Sequence, residues 1–134
     1  MMYYAVSAGA RGLFDYIHCS EKAATYMSHG SKEYPDVWAE IGRVYRELQV
    51  VAPYLALAHP AKLATADRPK LAVSTLVCGE DALLLVCINE DYEQQKHAFR
   101  YQPAQAVALQ VPELPWLKPA AAWRVTEKLS LIHI

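Results

Sequence analysis

Residues 70–91, KLAVSTLVCGEDALLLVCINED, contain the clearest strand pattern in the second half of the chain. Two runs rich in aliphatic and β-branched residues, Lys70–Cys78 and Ala82–Asn89, flank the short polar sequence Gly79-Glu80-Asp81. Such runs around a glycine-containing turn are typical of a β-hairpin. We therefore predict two adjacent antiparallel strands here.

The register of this hairpin bears on the cysteines. Pairing across the turn places Cys78 opposite Ala82 and Cys87 opposite Val73, so the two thiols are not cross-strand neighbours. Free cysteine behaves as a small hydrophobic residue, and we expect both thiols to be buried and unpaired.

Beyond the hairpin, proline punctuates short segments that fit strands better than helices. Three further candidate strands are His97–Tyr101, Ala104–Val111 and Ala120–Glu127. Short strands at this spacing favour an antiparallel sandwich. The composition changes near residue 60, which we take as a domain boundary.

The clearest helix precedes that boundary. Pro35 suits the first helical position, and Asp36 lies in the first turn, where its charge favours the helix dipole. Apolar residues recur at helical spacing as far as Val51, while Arg43 and Glu47, four residues apart, fall on the expected solvent side. The periodicity ends at Pro53, with residues 54–57 allowing one further turn.

The first residues of the chain predict another helix, a strand and a loop. Met2–Ala10 has the composition of the last turns of a helix, with Gly9 at the C-cap. Residues 11–18 form a nearly continuous apolar run, as expected of a buried parallel strand. Residues 19–34 turn polar and predict a long loop, of a length that is often functional.

Three segments in this order resemble the C-terminal end of barrel-type glycoside hydrolases. They are AVSAGARGLFDYIH, residues 5–18; YPDVWAEIGRVYRELQVVAPYL, residues 34–55; and the hairpin, residues 70–91. The resemblance implies an α+β chain: the last strand and helix of a (β/α)8 barrel, then an incomplete antiparallel β-sandwich. It covers residues 3–128 and rests on architectural motifs.

The resemblance also implies a function. The intact parent would hydrolyse glycosidic bonds with two carboxylates on earlier barrel strands. This chain contains none of those strands, so we expect it to complete the barrel, to need the missing N-terminal barrel as its partner, and to be inactive alone. Tyr16 and His18, near the end of the last strand, are the candidate substrate-binding residues, with carbohydrate as the ligand. We expect no catalytic residue, cofactor or metal ion in this chain.

Other interpretations of these residues remain open. His18, Cys19 and His29 suggest metal binding, but the spacing of a zinc site is absent. Trp116 and Trp123 fit either a binding platform or a sandwich core or edge. The alternative function is a non-catalytic β-sandwich module that binds carbohydrate or protein, with a helical linker; a third is an independent small α/β protein.

The two ends of the sequence carry their own predictions. The hexapeptide LSLIHI, residues 129–134, resembles a translated sequencing adapter, and its alternative is a short apolar strand. The first helix lacks an N-cap residue, so we expect its start to be missing. The predicted organisation is therefore residues 1–58, a barrel strand–helix unit; residues 59–128, a β-sandwich module; and residues 129–134, an adapter scar.

Composition and charge exclude some classes of partner. Hydrophobic residues make up 54% of the chain and charged residues 20%, with a net charge of -1. The basic residues are scattered, which argues against binding to nucleic acid or to an anionic membrane. We find no signal peptide and no apolar stretch of spanning length, and the location of the parent stays open.

Overall fold

The computed structural model describes residues 2–14, 18–19, 29–30, 34–95, 99–117, 122–125 and 130–132. Within these ranges the protein is a mixed α+β chain with one long helix and several small sheets. The elements are α1 (Met2–Ser7), β1 (His18–Cys19), β2 (His29–Gly30), α2 (Pro35–Leu55), β3 (Ala58–Ala61), β4 (Thr65–Ala66), β5 (Leu71–Cys78), β6 (Ala82–Asn89), β7 (Tyr92–Gln94), β8 (Phe99–Tyr101), β9 (Leu109–Gln110), β10 (Ala122–Arg124) and β11 (Ser130–Ile132).

The largest sheet is antiparallel and has the strand order β3-β5-β6. The pairs β4–β9, β7–β8 and β10–β11 are antiparallel and two-stranded, whereas β1 pairs with β2 in parallel. Among the described residues the strands close no barrel. The α+β class is thus confirmed at this coarse level.

The hairpin prediction is confirmed residue by residue. β5 pairs with β6 around the turn, with Cys78 opposite Ala82 and Val73 opposite Cys87. Gly79, at the turn, has a φ of 68°. Glycine adopts this conformation without the steric cost of a Cβ. Cys78 and Cys87 are both free thiols.

Helix α1 packs against β5 and β6 and covers one face of the three-stranded sheet. Since side chains alternate along a strand, the register places Ala58, Leu76, Cys78 and Val86 on a single face. All four are buried, and so is Val6 of α1. The described core of the first unit therefore lies between α1 and this sheet, while Val44 and Val51 of α2 are buried in the second unit.

The predicted C-cap at Gly9 is confirmed. Gly9 has a φ of 93°, its N–H donates to the Val6 carbonyl at 2.9 Å, and the Ala10 N–H donates to the Ala5 carbonyl at 2.9 Å. These two bonds form a Schellman motif. A Cβ on Gly9 would lie 2.8 Å from Pro60 Cγ, so glycine also allows the close approach of α1 to β3.

The opposite face of the sheet is covered less evenly. Thr75 is 1% exposed, and its Oγ1 accepts a hydrogen bond from the Ala64 N–H at 3.1 Å. Cys87 lies on this same face and is exposed, so the expectation that both thiols are buried is wrong for Cys87. The reason is the alternation of the strand, which directs Cys87 away from α1.

Helix α2 begins at Pro35 as predicted but does not end before Pro53. It runs through this proline to Leu55, and the Leu57 N–H then donates to the Tyr54 carbonyl at 3.1 Å. Proline removes one N–H donor without removing the others. The burial of Leu55 stabilises the last turn.

The predicted ion pair between Arg43 and Glu47 forms, but the solvent-side position of Glu47 is wrong. Glu47 is only 8% exposed. A buried carboxylate requires a partner of this kind, because burying an unpaired charge is costly. Arg43 Nε also donates to Glu40 Oε2 at 2.8 Å, and this bond lowers the pKa of Glu40.

The predicted strand over residues 11–18 is only partly present. Residues 11–14 form no strand, and Phe14 is 90% exposed, which contradicts a buried strand at this position. Residues 15–17 lie outside the described part of the chain. His18 begins β1, and its parallel pairing with β2 places a strand inside the predicted loop.

Several shorter strands differ from the prediction. β8 and β10 lie within their predicted segments, while β9 occupies only two residues of the segment 104–111. The strands β3, β4 and β7 were not predicted. β4 and β7 are too short to show a period-two pattern, and β3 contains Pro60, which disfavours a strand assignment. β11 lies within residues 129–134, and the interpretation of this hexapeptide as an adapter scar or as a native strand stays a prediction.

The described chain divides into two compact units. The first unit contains residues 1–11 and 54–120, and the second contains residues 12–53 and 121–134. Helix α1 therefore belongs to the same unit as the three-stranded sheet. The domain boundaries predicted above stay a prediction.

Candidate functional site

Of the two residues predicted to bind substrate, Tyr16 and His18, only His18 lies in the described part of the chain. Tyr16 lies outside the described residues. His18 is the first residue of β1, and it is the register partner of His29 in the parallel pair. The role of Tyr16 and His18 in substrate binding stays a prediction.

The interpretation of His18, Cys19 and His29 as metal ligands stays a prediction. Within those residues, no group of three or more His, Cys, Asp or Glu residues is placed to hold a metal ion. The backbone register brings His18 and His29 side by side, which the sequence spacing alone did not indicate.

Three tyrosines gather where α1 meets the open end of the hairpin. Tyr92 and Tyr101 are opposite residues of the β7–β8 ribbon, and their ring centroids lie 5.6 Å apart at an interplanar angle of 51°. Tyr4 of α1 donates a hydrogen bond from its Oη to Glu90 Oε1 at 2.6 Å. We call Tyr4, Tyr92, Tyr101 and Glu90 the tyrosine surface.

The tyrosine surface combines exposed rings with fixed polar groups. Tyr4, Tyr92 and Tyr101 are 45%, 47% and 58% exposed. A tyrosine ring offers an apolar face and a polar hydroxyl, so a cluster of such rings can bind a ligand that is itself part apolar and part hydroxylated.

The contacts within the tyrosine surface also change the ionisation of Tyr4. The hydrogen bond to Glu90 raises the pKa of Tyr4 to about 12. The cause is that the carboxylate accepts a bond only from the protonated phenol. The negative charge of Glu90 and the hydroxyls of Tyr92 and Tyr101 add to this rise. The Tyr4 hydroxyl is thus held protonated across the whole physiological range.

A shallow depression of about 300 Å³ lies beside these residues. Three chain segments line it: 68–71 before β5 and into it, residues 89 and 91 at the end of β6, and 102–104 after β8. We call it the hairpin depression. Its lining includes two cations, Arg68 and Lys70, and one carboxylate, Asp91.

Asn89 fixes the geometry of the hairpin depression. Its Nδ2 donates to the Gln102 carbonyl at 2.7 Å, and its Oδ1 accepts from the Asp91 N–H at 2.9 Å. The Gln102 N–H in turn donates to the Asp91 carbonyl at 2.8 Å. A side chain that bonds the backbone in this way replaces a regular turn and holds β7 against β8.

The two cations of the depression are also held in place. Lys70 Nζ lies 2.8 Å from Asp91 Oδ1, and this pairing raises the pKa of Lys70. Arg68 Nη2 donates to the Gln105 carbonyl at 2.6 Å. Each cation keeps further N–H donors, because an ammonium has three and a guanidinium five.

The sequence analysis predicted neither the tyrosine surface nor the hairpin depression. The chain has nine tyrosines, but no local pattern connects Tyr4 with Glu90, which lie 86 residues apart. The signal that was available is the Asn89-Glu90-Asp91 sequence directly before Tyr92, since Asn and Asp mark a turn that redirects the chain.

Trp116, a candidate platform residue, is 40% exposed and lies in a turn in which the Leu117 N–H donates to the Leu114 carbonyl at 2.9 Å. This excludes Trp116 from the core. Trp123 is a residue of β10, opposite Leu131 of β11.

Comparison with protein-family models, with curated proteins and with solved structures finds no match to this chain. Among the described helices, none has the length and apolar character needed to cross a membrane.

Proposed function

We propose that this chain is the C-terminal part of a glycoside hydrolase and that it contacts carbohydrate without supplying the catalytic carboxylate pair. In this proposal β1 and α2 are the last strand and helix of a (β/α)8 barrel, and residues 59–128 belong to an appended β-sandwich. The order of a parallel strand pair, a long helix and an antiparallel β-rich part supports it.

The observation that carries the carbohydrate proposal is the tyrosine surface. Sugar rings have apolar C–H faces and a rim of hydroxyls, which matches the faces of tyrosine rings beside a carboxylate acceptor. Glu90 orders Tyr4 through their hydrogen bond. Less conformational entropy is therefore lost when a ligand binds. Tyr16 and His18 would line one wall of the sugar site in the intact parent.

The test is calorimetric titration of the chain with neutral oligosaccharides of several linkages. Tyr101→Ala removes an exposed ring of the tyrosine surface, and we expect it to weaken binding about threefold to tenfold. Tyr54→Ala is the matched control, because Tyr54 is 52% exposed and lies outside this surface. Equal losses in the two variants, or no binding of any oligosaccharide by the wild type, would contradict the proposal.

A parallel assay addresses the catalytic part. We expect the chain alone to release no sugar from glycosides that it binds, because hydrolysis needs two positioned carboxylates. Release of reducing sugar by the purified chain would show that a complete catalytic pair is present, and it would overturn this part of the proposal.

The second candidate function is a non-catalytic carbohydrate-binding module. It is favoured by the position of the tyrosine surface, all of whose residues belong to the first unit. Deletion of residues 1–58 would not test it cleanly, since α1 and its buried Val6 would be lost. Point variants separate the two functions. Both functions predict weaker binding in Tyr101→Ala. A further loss in Tyr16→Ala or His18→Ala favours the barrel wall, and unchanged binding in those two variants favours the module.

A further inference from the structure

We propose that the hairpin depression is a binding subsite for the carboxylate of an acidic sugar, a uronic acid, with Arg68 and Lys70 as the anion-binding residues. The inference rests on the proposed carbohydrate function and extends it from the tyrosine surface to the neighbouring depression. It names the ligand class that the depression selects.

The first observation is the charge of the residues that line the hairpin depression. Arg68 and Lys70 supply two positive charges and Asp91 one negative charge, so the lining itself has a net charge of +1. Outside the lining, the carboxylate of Glu93 also acts on Lys70. A monoanion matches this balance. Asp91 lies in the same depression as the cations and would repel a dianionic phosphate about twice as strongly as a carboxylate monoanion.

The hydrogen-bonding capacity of the lining carries the second step. Lys70 donates one hydrogen bond to the Asp91 carboxylate, and Arg68 donates one to the Gln105 carbonyl. Donors therefore remain on both cations for a carboxylate. Asp91 has a second carboxylate oxygen, which can accept a hydrogen bond from a sugar hydroxyl. The lining thus offers donors for an anion and an acceptor for a hydroxyl on one ligand.

The size and placement of the depression carry the third step. Its volume is about 300 Å³. This value lies at the lower end of the range for small-molecule sites, which favours a single sugar unit over a long chain. Asp91 directly precedes Tyr92, and Gln102 directly follows Tyr101, so the depression and the tyrosine surface share the β7–β8 ribbon. An acidic oligosaccharide could therefore place a uronate in the depression and a neighbouring unit on the tyrosines.

Finally, hydrogen bonds connect the segments that line the depression. The Glu90 N–H donates to the Lys70 carbonyl at 2.9 Å, and Asn89 fixes the segment that contains Gln102. These bonds hold the three lining segments before a ligand arrives, so binding requires little reorganisation.

The experiment is calorimetric titration of the full chain with a uronic acid trisaccharide and with the neutral trisaccharide of the same linkage. We expect the acidic trisaccharide to bind about tenfold more tightly at low salt. The difference should shrink as salt screens the exposed charges. Lys70→Gln and Arg68→Gln should each lower the preference about threefold or more, and Arg68→Lys, which keeps the charge, should retain most of it.

Lys62→Gln is the matched control, since Lys62 is an exposed cation of the first unit outside the depression. Equal binding of the two trisaccharides would overturn this inference and leave the proposed function standing. Binding of neither would overturn both. Binding of the acidic trisaccharide that survives Tyr101→Ala but not Lys70→Gln would support the depression and contradict the tyrosine surface. Tighter binding of a short acidic peptide than of the trisaccharide would overturn the inference in favour of a protein ligand.

Discussion

The two ends of the β5–β6 hairpin differ in chemistry. Toward the turn, Leu76 and Cys78 are buried against α1, and few polar side chains take part. At the open end, Lys70, Asn89 and Asp91 form hydrogen bonds that position the depression and the ribbon β7–β8. One pair of strands thus provides stability at one end and a candidate binding surface at the other.

The difference follows from burial. Removing apolar area from water stabilises by roughly 25 cal/mol per Å², whereas an exposed ion pair contributes little, about 0–1 kcal/mol. We therefore expect substitutions near the turn to affect the free energy of unfolding, and substitutions at the open end to affect ligand binding and titration.

Leu76→Ala should have the largest effect on stability. Leu76 is fully buried. The cavity left by a buried leucine costs about 2–5 kcal/mol, and urea denaturation measures the change. Leu57→Ala is the control, because Leu57 is 60% exposed. It should cost roughly 1 kcal/mol or less. Similar losses at both positions would contradict a core between α1 and the sheet.

Gly9→Ala should destabilise by about 2–3 kcal/mol, because the positive φ of this residue disfavours alanine. The new Cβ would also lie 2.8 Å from Pro60 Cγ. The thermal unfolding temperatures of Gly9→Ala and Gly12→Ala are compared. Gly12→Ala is the control, since a Cβ on Gly12 meets no atom within 4 Å. If both variants unfold at the same temperature, α1 does not approach β3 as described.

Thr75→Val should cost about 1–2 kcal/mol, because it leaves the part-buried Ala64 N–H without its acceptor. The valine keeps the shape of the side chain but cannot accept the bond that the Ala64 N–H now donates to Thr75 Oγ1 at 3.1 Å. Thr65→Val, at an exposed position of β4, is the matched change and should be close to neutral. Urea denaturation that separates the two variants by less than about 0.5 kcal/mol would refute this bond as a stabilising contact.

Glu90→Gln should lower the pKa of Tyr4 from about 12 toward its ordinary value of 10.0. The raised pKa means that the folded chain keeps a proton that the unfolded chain loses. This contribution to stability is therefore fully present below pH 10 and is lost as pH rises through 12. Ultraviolet titration of tyrosinate absorbance measures the shift, with Glu80→Gln as the control. Unchanged titration in Glu90→Gln would show that Tyr4 has another partner.

Sequence reasoning succeeded where one physical pattern acts locally. The turn at Gly79 between the two aliphatic runs predicted the register of β5 and β6, and the glycine at residue 9 marked the end of α1. It failed at residues 11–14, where an apolar run forms no strand, because composition does not indicate whether a neighbouring strand is available. It also missed the tyrosine surface, whose hydrogen bond joins residues 86 positions apart.

Contact between carbohydrate and the tyrosine surface can be observed by nuclear magnetic resonance mapping. A titration of the isotope-labelled chain with the neutral oligosaccharide of highest affinity would follow the backbone amides and tyrosine rings. We predict the largest shifts at Tyr4, Glu90, Tyr92 and Tyr101. Shifts confined to residues remote from these four, or no shift at saturating oligosaccharide, would contradict the account.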